Sequence, residues 1–111
     1  MNKTRFDYGK LAAGKIDYTF RVKAAADTYA AGTILETTDG LTYAKATAVA
    51  IGKHYVVCAE DVTLSGEGEI VVHKGGYFNK NIVTVNDAEA SAEAIEILKT
   101  QNIFVEDVSA Q

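Results

Sequence analysis

The sequence predicts a mainly β protein with one helix near its C-terminus. Two observations carry that reading. Short runs recur from residue 16 onward that either alternate apolar and polar residues or are continuously apolar, with Gly, Asn, Asp or Ser between them. One late stretch, around residues 88–99, instead spaces its apolar residues at helical intervals. The chain has 111 residues, which suits one domain. It is 48% hydrophobic and 23% charged, values of a globular protein rather than of a wholly disordered one. Proline is absent, so Gly, Asn, Asp and Ser must make the turns.

The elements follow in order. Residues 1–15 hold Phe6, Tyr8 and Leu11 without a clean period and read as a flexible arm in the free protein. Residues 16–22 alternate at every step (Ile16, Tyr18, Phe20 and Val22 against Asp17, Thr19 and Arg21), the period of a strand with one buried face. Such a strand needs a covering surface and an edge to pair with, in this body or in another molecule. Asp39-Gly40 lies between Thr33-Ile34-Leu35-Glu36 and Leu41-Thr42-Tyr43-Ala44, and supplies the positive φ of a hairpin. Tyr55-Val56-Val57-Cys58 is an apolar run suited to a buried strand, and Ile70-Val71-Val72 marks another. Ile82-Val83-Thr84-Val85 is a short extended piece. Asn86, three residues before Glu89, predicts a capping box, and Ala88, Ala92, Ile95 and Leu98 a buried helical stripe. Asn102 suits a left-handed stop, and Ile103-Phe104-Val105 closes the chain as a strand. The domain reading is an N-terminal arm over 1–25, with a strand at 16–22, and a body over 26–111.

Charge is unevenly placed. Residues 1–25 hold six basic and two acidic groups, a net +4. Residues 26–111 hold five basic and thirteen acidic groups, a net −8, which leaves the chain at −4. A basic arm on an acidic body points to an acidic surface that the arm meets, its own or a partner's. The acidic body argues against direct binding of nucleic acid, although Phe6, Tyr8, Tyr18 and Phe20 among basic residues would suit base stacking. No run approaches the ~20 apolar residues of a membrane helix. The first residues lack an apolar signal core, so export by a cleaved signal is not expected.

Candidate chemistry is sparse. A structural zinc site wants four ligands, usually in close pairs, whereas His54, Cys58 and His73 are three and dispersed. Four positions along a strand separate His54 from Cys58 by ~13 Å, too far for one ion. Cys58 inside an apolar run reads as an inert core thiol rather than a nucleophile. Glu60-Asp61 and Glu67-Gly68-Glu69 match no calcium loop, and Gly66-Glu67-Gly68 and Gly75-Gly76 match no phosphate cradle. The residues suggest no metal site, and the lack of a catalytic constellation favours binding or structural work over catalysis.

From Ala31 to the C-terminus the chain resembles the head decoration proteins of tailed bacteriophages, the family of the phage lambda decoration protein. Ala31-Gly32-Thr33-Ile34-Leu35 opens a hairpin, and Val56-Val57-Cys58-Ala59-Glu60-Asp61-Val62 looks like the family's strand ending in Glu-Asp. Ile70-Val71-Val72-His73-Lys74-Gly75-Gly76 looks like its valine-rich strand, and an Ala- and Glu-rich helix precedes Ile103-Phe104-Val105. Asn102 stands where the family usually has glycine, and the chain lacks the family's prolines. Residues 1–30 do not match the lambda protein.

The resemblance implies a small barrel-like body of the β-tulip type with an extended N-terminal arm. It implies a virion protein, made in the bacterial host cytoplasm, that sits on the outer surface of the expanded head as a homotrimer. It implies the major capsid protein as partner, no enzyme activity and no cofactor. On this reading Ile16, Tyr18 and Phe20 add a strand to the capsid protein, Phe6 and Tyr8 anchor the arm, and Arg5, Lys10, Lys15 and Arg21 steer it to acidic groups. The alternatives are another virion component, such as a tail or fibre-anchoring module, and a small β-barrel ligand-binding or enzymatic domain using His54, Cys58 or Glu60-Asp61.

Overall fold

The structure is a computed structural model that describes residues 12–16, as backbone, and 19–107. It contains β1 (Ala12–Ile16), β2 (Thr19–Ala24), β3 (Asp27–Tyr29), β4 (Ile34–Thr37), β5 (Thr42–Lys45) and β6 (His54–Cys58). These are followed by β7 (Val62–Leu64), β8 (Gly68–His73), β9 (Gly76–Asn79), β10 (Thr84–Val85) and β11 (Ala88–Glu89), then α1 (Ala92–Lys99) and β12 (Ile103–Glu106). The protein is therefore mainly β with a single C-terminal helix among the described residues.

Five strands close a barrel in the order β2-β5-β4-β6-β8. β2 pairs with β8 along its whole length, from Thr19 opposite His73 to Ala24 opposite Gly68, and with β5 at Lys23 and Ala24. Pairing with β8 along one edge and with β5 at the end of the other closes the barrel and draws β2 into the body. The alternating strand expected over 16–22 thus finds its pairing edge within the body for Thr19–Val22. A strand ends at Ile16, another starts at Thr19, and Phe20 and Arg21 belong to the barrel.

Two cores share the barrel wall. Leu35, Val56, Cys58, Ile70 and Val72 fill the interior with Ala24 and Tyr29. Ile34, Tyr55 and Val57, from the alternate positions of β4 and β6, face outward and pack with Phe78, Ala94, Leu98 and Ile103. Period two persists in both strands, but each face is covered, so the run Tyr55-Val56-Val57-Cys58 is apolar throughout. The outer cover is α1 together with a three-stranded sheet in the order β1-β9-β12, with β1 antiparallel and β12 parallel to β9. The antiparallel ribbon of β3 and β7 brings in Tyr29, whose hydroxyl donates to the Ala25 carbonyl at 2.6 Å.

Local chemistry sets the connections. Asp39 Oδ1 accepts from Leu41 N–H (2.8 Å), Thr42 N–H (3.2 Å) and the Thr37 hydroxyl (3.0 Å), and Gly40 has φ +76°. The expected β4–β5 hairpin is present. The expected capping box is not. Asn86 and Asp87 have φ +54° and +62° and form the two-residue turn joining β10 to β11, the conformation that a tight hairpin favours. Ser91 caps α1 instead, its hydroxyl accepting from Ala94 N–H at 3.1 Å. The buried helix positions are Ala94 and Leu98, while Ala88 and Ala92 are exposed. Asn102 is left-handed, φ +65°, as its position suggests.

Gln101 ties the helix end to the barrel. Its Nε2 donates to the Lys53 carbonyl at 2.6 Å and its Oε1 accepts from Tyr55 N–H at 2.9 Å. Gly32 does the same for the β10–β11 hairpin, donating to the Cys58 carbonyl and accepting from Thr84 N–H. Its φ is +97°, and a Cβ there would lie 2.5 Å from the Ile82 carbonyl oxygen. The ion pairs of Lys45 with exposed Asp27 and Asp87 add at most ~1 kcal/mol.

Two predictions follow from these turns. Gly32→Ala should lower the unfolding free energy by roughly 2 kcal/mol or more, from left-handed strain plus the clash; denaturant unfolding with an unchanged slope checks it. The hydrogen bonds from Leu41 and Thr42 N–H, with that from Thr37, hold the Asp39 carboxyl below its ordinary value of 3.8. A depressed folded value stabilises above the unfolded pKa and is lost as pH falls through the folded one. The melting-temperature gap between wild type and Asp39→Asn should therefore be widest above ~pH 5 and narrow towards ~pH 2.

Candidate interaction surface

The residues expected to carry function divide by position. Arg5, Phe6, Tyr8, Lys10 and Tyr18 lie outside the described residues. Lys15 and Ile16 belong to β1, where the register sets Ile16 opposite Gly76. Phe20 is half-buried against the barrel interior, and Arg21 is exposed opposite Val71. Phe20 and Arg21 sit on a strand paired with β8 along its whole length and with β5 only at Lys23 and Ala24, so strand addition on the β8 side would first require opening the barrel.

The histidines and the cysteine do not converge. Register pairs Cys58 with Val72 and His73 with Val57. Cys58 faces the barrel interior, while the His73 ring lies on the other face, 5.6 Å from that of Phe78. His54 is exposed at the start of β6. The Cys58 thiol donates to the Glu60 carbonyl at 3.1 Å, and burial pushes its pKa up to about 11, so it is protonated at neutral pH. The acidic pair holds backbone: Asp61 accepts from Ala31 N–H at 2.9 Å, and Glu60 from Val71 N–H at 3.3 Å. Among the described residues no group of three or more His, Cys, Asp or Glu is placed to hold a metal ion.

The surface features lie elsewhere. On the three-stranded sheet, Phe78, Ile103 and Val105 face the core, so Tyr77 and Phe104 face outward. Their rings stack at 4.7 Å with an 18° interplanar angle, and Tyr77 is 40% exposed. Alternation within Gly76–Asn79 and Ile103–Glu106 was the available signal, but it could not show that the two strands are neighbours. β12 pairs only with β9 among the described residues, so its outer edge is open there.

A second feature is Ile51, 87% exposed. Tyr55 holds its loop: the buried hydroxyl accepts from Ala50 N–H at 2.7 Å and lies 3.1 Å from the Ala50 carbonyl. A third is a groove of about 330 Å³ between this loop, the β10–β11 hairpin and the start of α1. Among the described residues no helix is long and apolar enough to cross a membrane. Neither a protein-family model nor a curated protein matches the chain.

The Cys58 environment predicts slow chemistry. Thiol reagents should modify it only as fast as the barrel opens, and at once in denaturant; a rapid colorimetric thiol reaction in native buffer would contradict the burial.

Proposed function

We propose that the protein is a capsid decoration protein, a non-enzymatic cement that binds the outside of an expanded phage head and stabilises it against internal DNA pressure. The observation that carries the reading is a juxtaposition. The basic N-terminal segment leads into β1, the edge of the same sheet that presents the Tyr77–Phe104 stack. An aromatic platform beside a positively charged, chain-terminal segment suits recognition of an acidic protein surface. The order of strand and helix features shared with the lambda decoration family supports the same reading.

The capsid-facing groups on this reading are Arg5, Phe6, Tyr8, Lys10, Lys15, Ile16 and Tyr18, joined by Tyr77 and Phe104. Arg21 is exposed on the barrel and contributes charge rather than strand pairing. One segment ordering on a capsid binds modestly, because ordering costs conformational entropy. Three copies around a local threefold axis raise the affinity through effective concentration. Preference for the expanded shell then stabilises that state by linkage.

Co-sedimentation with compact and expanded capsid shells tests this. Binding is expected to expanded shells only, saturating at three copies per local threefold site. Arg5→Glu/Lys10→Glu and Tyr77→Ala/Phe104→Ala should each weaken it ~10-fold or more with the melting temperature little changed. Binding to neither shell overturns the reading in favour of a tail module.

A further inference from the structure

The β4–β5 turn contains Asp39-Gly40, the single Asp-Gly or Asn-Gly step in the sequence. Glycine lacks a Cβ and puts the least bulk beside its amide nitrogen. At such a step the nitrogen can attack the aspartate side chain. The Gly40 nitrogen bonds to Asp39 Cγ, and its proton and the carboxyl OH leave together as water. Water then adds at the Asp39 α-carbonyl carbon of the five-membered ring, and the bond from that carbon to nitrogen breaks. The product is isoaspartate. Its composition is unchanged, but Cβ and Cγ now lie in the main chain and the α-carbon carries the free carboxylate.

The folded turn holds both reacting groups. Gly40 N–H donates to Thr37 Oγ1 at 3.0 Å, and the Thr37 hydroxyl donates to Asp39 Oδ1 at 3.0 Å. Leu41 N–H and Thr42 N–H donate to that same carboxylate oxygen at 2.8 and 3.2 Å. The bonds from Leu41, Thr42 and Thr37 keep the carboxyl below its ordinary pKa and therefore ionised. An ionised carboxylate is a much poorer target for attack than the acid. Burial gives the step no cover. Asp39 and Gly40 are exposed, and a Cβ built at Gly40 would meet nothing within 4 Å. Thr37 itself is buried, so its hydroxyl is fixed in place beneath an open turn.

We propose that Asp39 is a site of spontaneous isomerisation to isoaspartate, and that the Thr37 hydroxyl is the positioning group that suppresses it while the hairpin is folded. Attack requires the Gly40 N–H to leave Thr37 and the carboxylate to leave its three donors, so the reaction waits for local opening of the turn. The product does not fit the same turn. It has one more main-chain carbon, and its carboxylate stands on a different atom from the one that Leu41, Thr42 and Thr37 bind. β5 lies between β4 and β2 in the closed barrel, so the lengthened turn shifts a strand of the wall. The inference is independent of the capsid role. It concerns how long the barrel lasts, whatever the protein binds.

Incubation of the full-length protein at neutral pH tests this, with peptide mapping by electron-transfer fragmentation to separate α- from β-linked aspartate. Isoaspartate at position 39 should form at least ~10-fold more slowly in native buffer than in denaturant. Thr37→Val removes the hydroxyl and keeps the bulk, and should raise the native rate ~5-fold or more. Thr37→Ser restores the hydroxyl and should stay close to wild type. Gly32→Ala weakens the fold away from this turn and should also stay close to wild type. In denaturant all four chains should react alike. Equal wild-type rates in native buffer and denaturant overturn the proposal. So does a Thr37→Val rate no faster than wild type, or a Thr37→Ser rate as fast as that of Thr37→Val. Equal acceleration in Gly32→Ala and Thr37→Val would assign the protection to global stability and reject the role of Thr37. A difference among the chains in denaturant would reject a hydroxyl acting through the folded turn.

Discussion

Burial of β4 and β6 on both faces is the constraint on which the rest of the structure depends. A strand covered on one side needs only a barrel interior. These two also present Ile34, Tyr55 and Val57 outward, and that second apolar face must be removed from water. The cover consists of α1 and the β1-β9-β12 sheet, which share Leu98, Ala94, Phe78 and Ile103 with it. The C-terminal helix is thus an integral half of the outer core. Gln101, bonded to Lys53 and Tyr55, fixes how the helix end meets the barrel wall. The same wall keeps Cys58 and His73 apart, because adjacent strands place them on opposite faces.

Closing the barrel constrains what the N-terminal residues can do. β2 uses one edge against β8 and the other, at its end, against β5, so its backbone has partners within the chain. Exchanging those bonds for bonds to another chain offers no gain unless the new contact also replaces the buried surface of Ala24 and Phe20. A partner would meet the least competition at residues ahead of β2 and at surfaces that the fold leaves open. The outer face of the three-stranded sheet, with the Tyr77–Phe104 stack, is such a surface, and β1 forms one edge of that sheet.

Much of the fold was legible because its signals are local. Asp39-Gly40 announced a hairpin, the apolar run at Tyr55–Cys58 a buried strand, and Leu98 with Asn102 the end of a helix. The errors have local causes too. Asn86 and Asp87 suit a cap by type, but both also tolerate positive φ, and a two-residue hairpin turn uses that property directly. The alternation over 16–22 gave the correct state for Thr19–Val22 but not the partner, since register with β8 is set by residues fifty positions away. The candidate surface was the least legible part. Tyr77 and Phe104 become a stacked pair only because a parallel β9–β12 pairing sets them side by side.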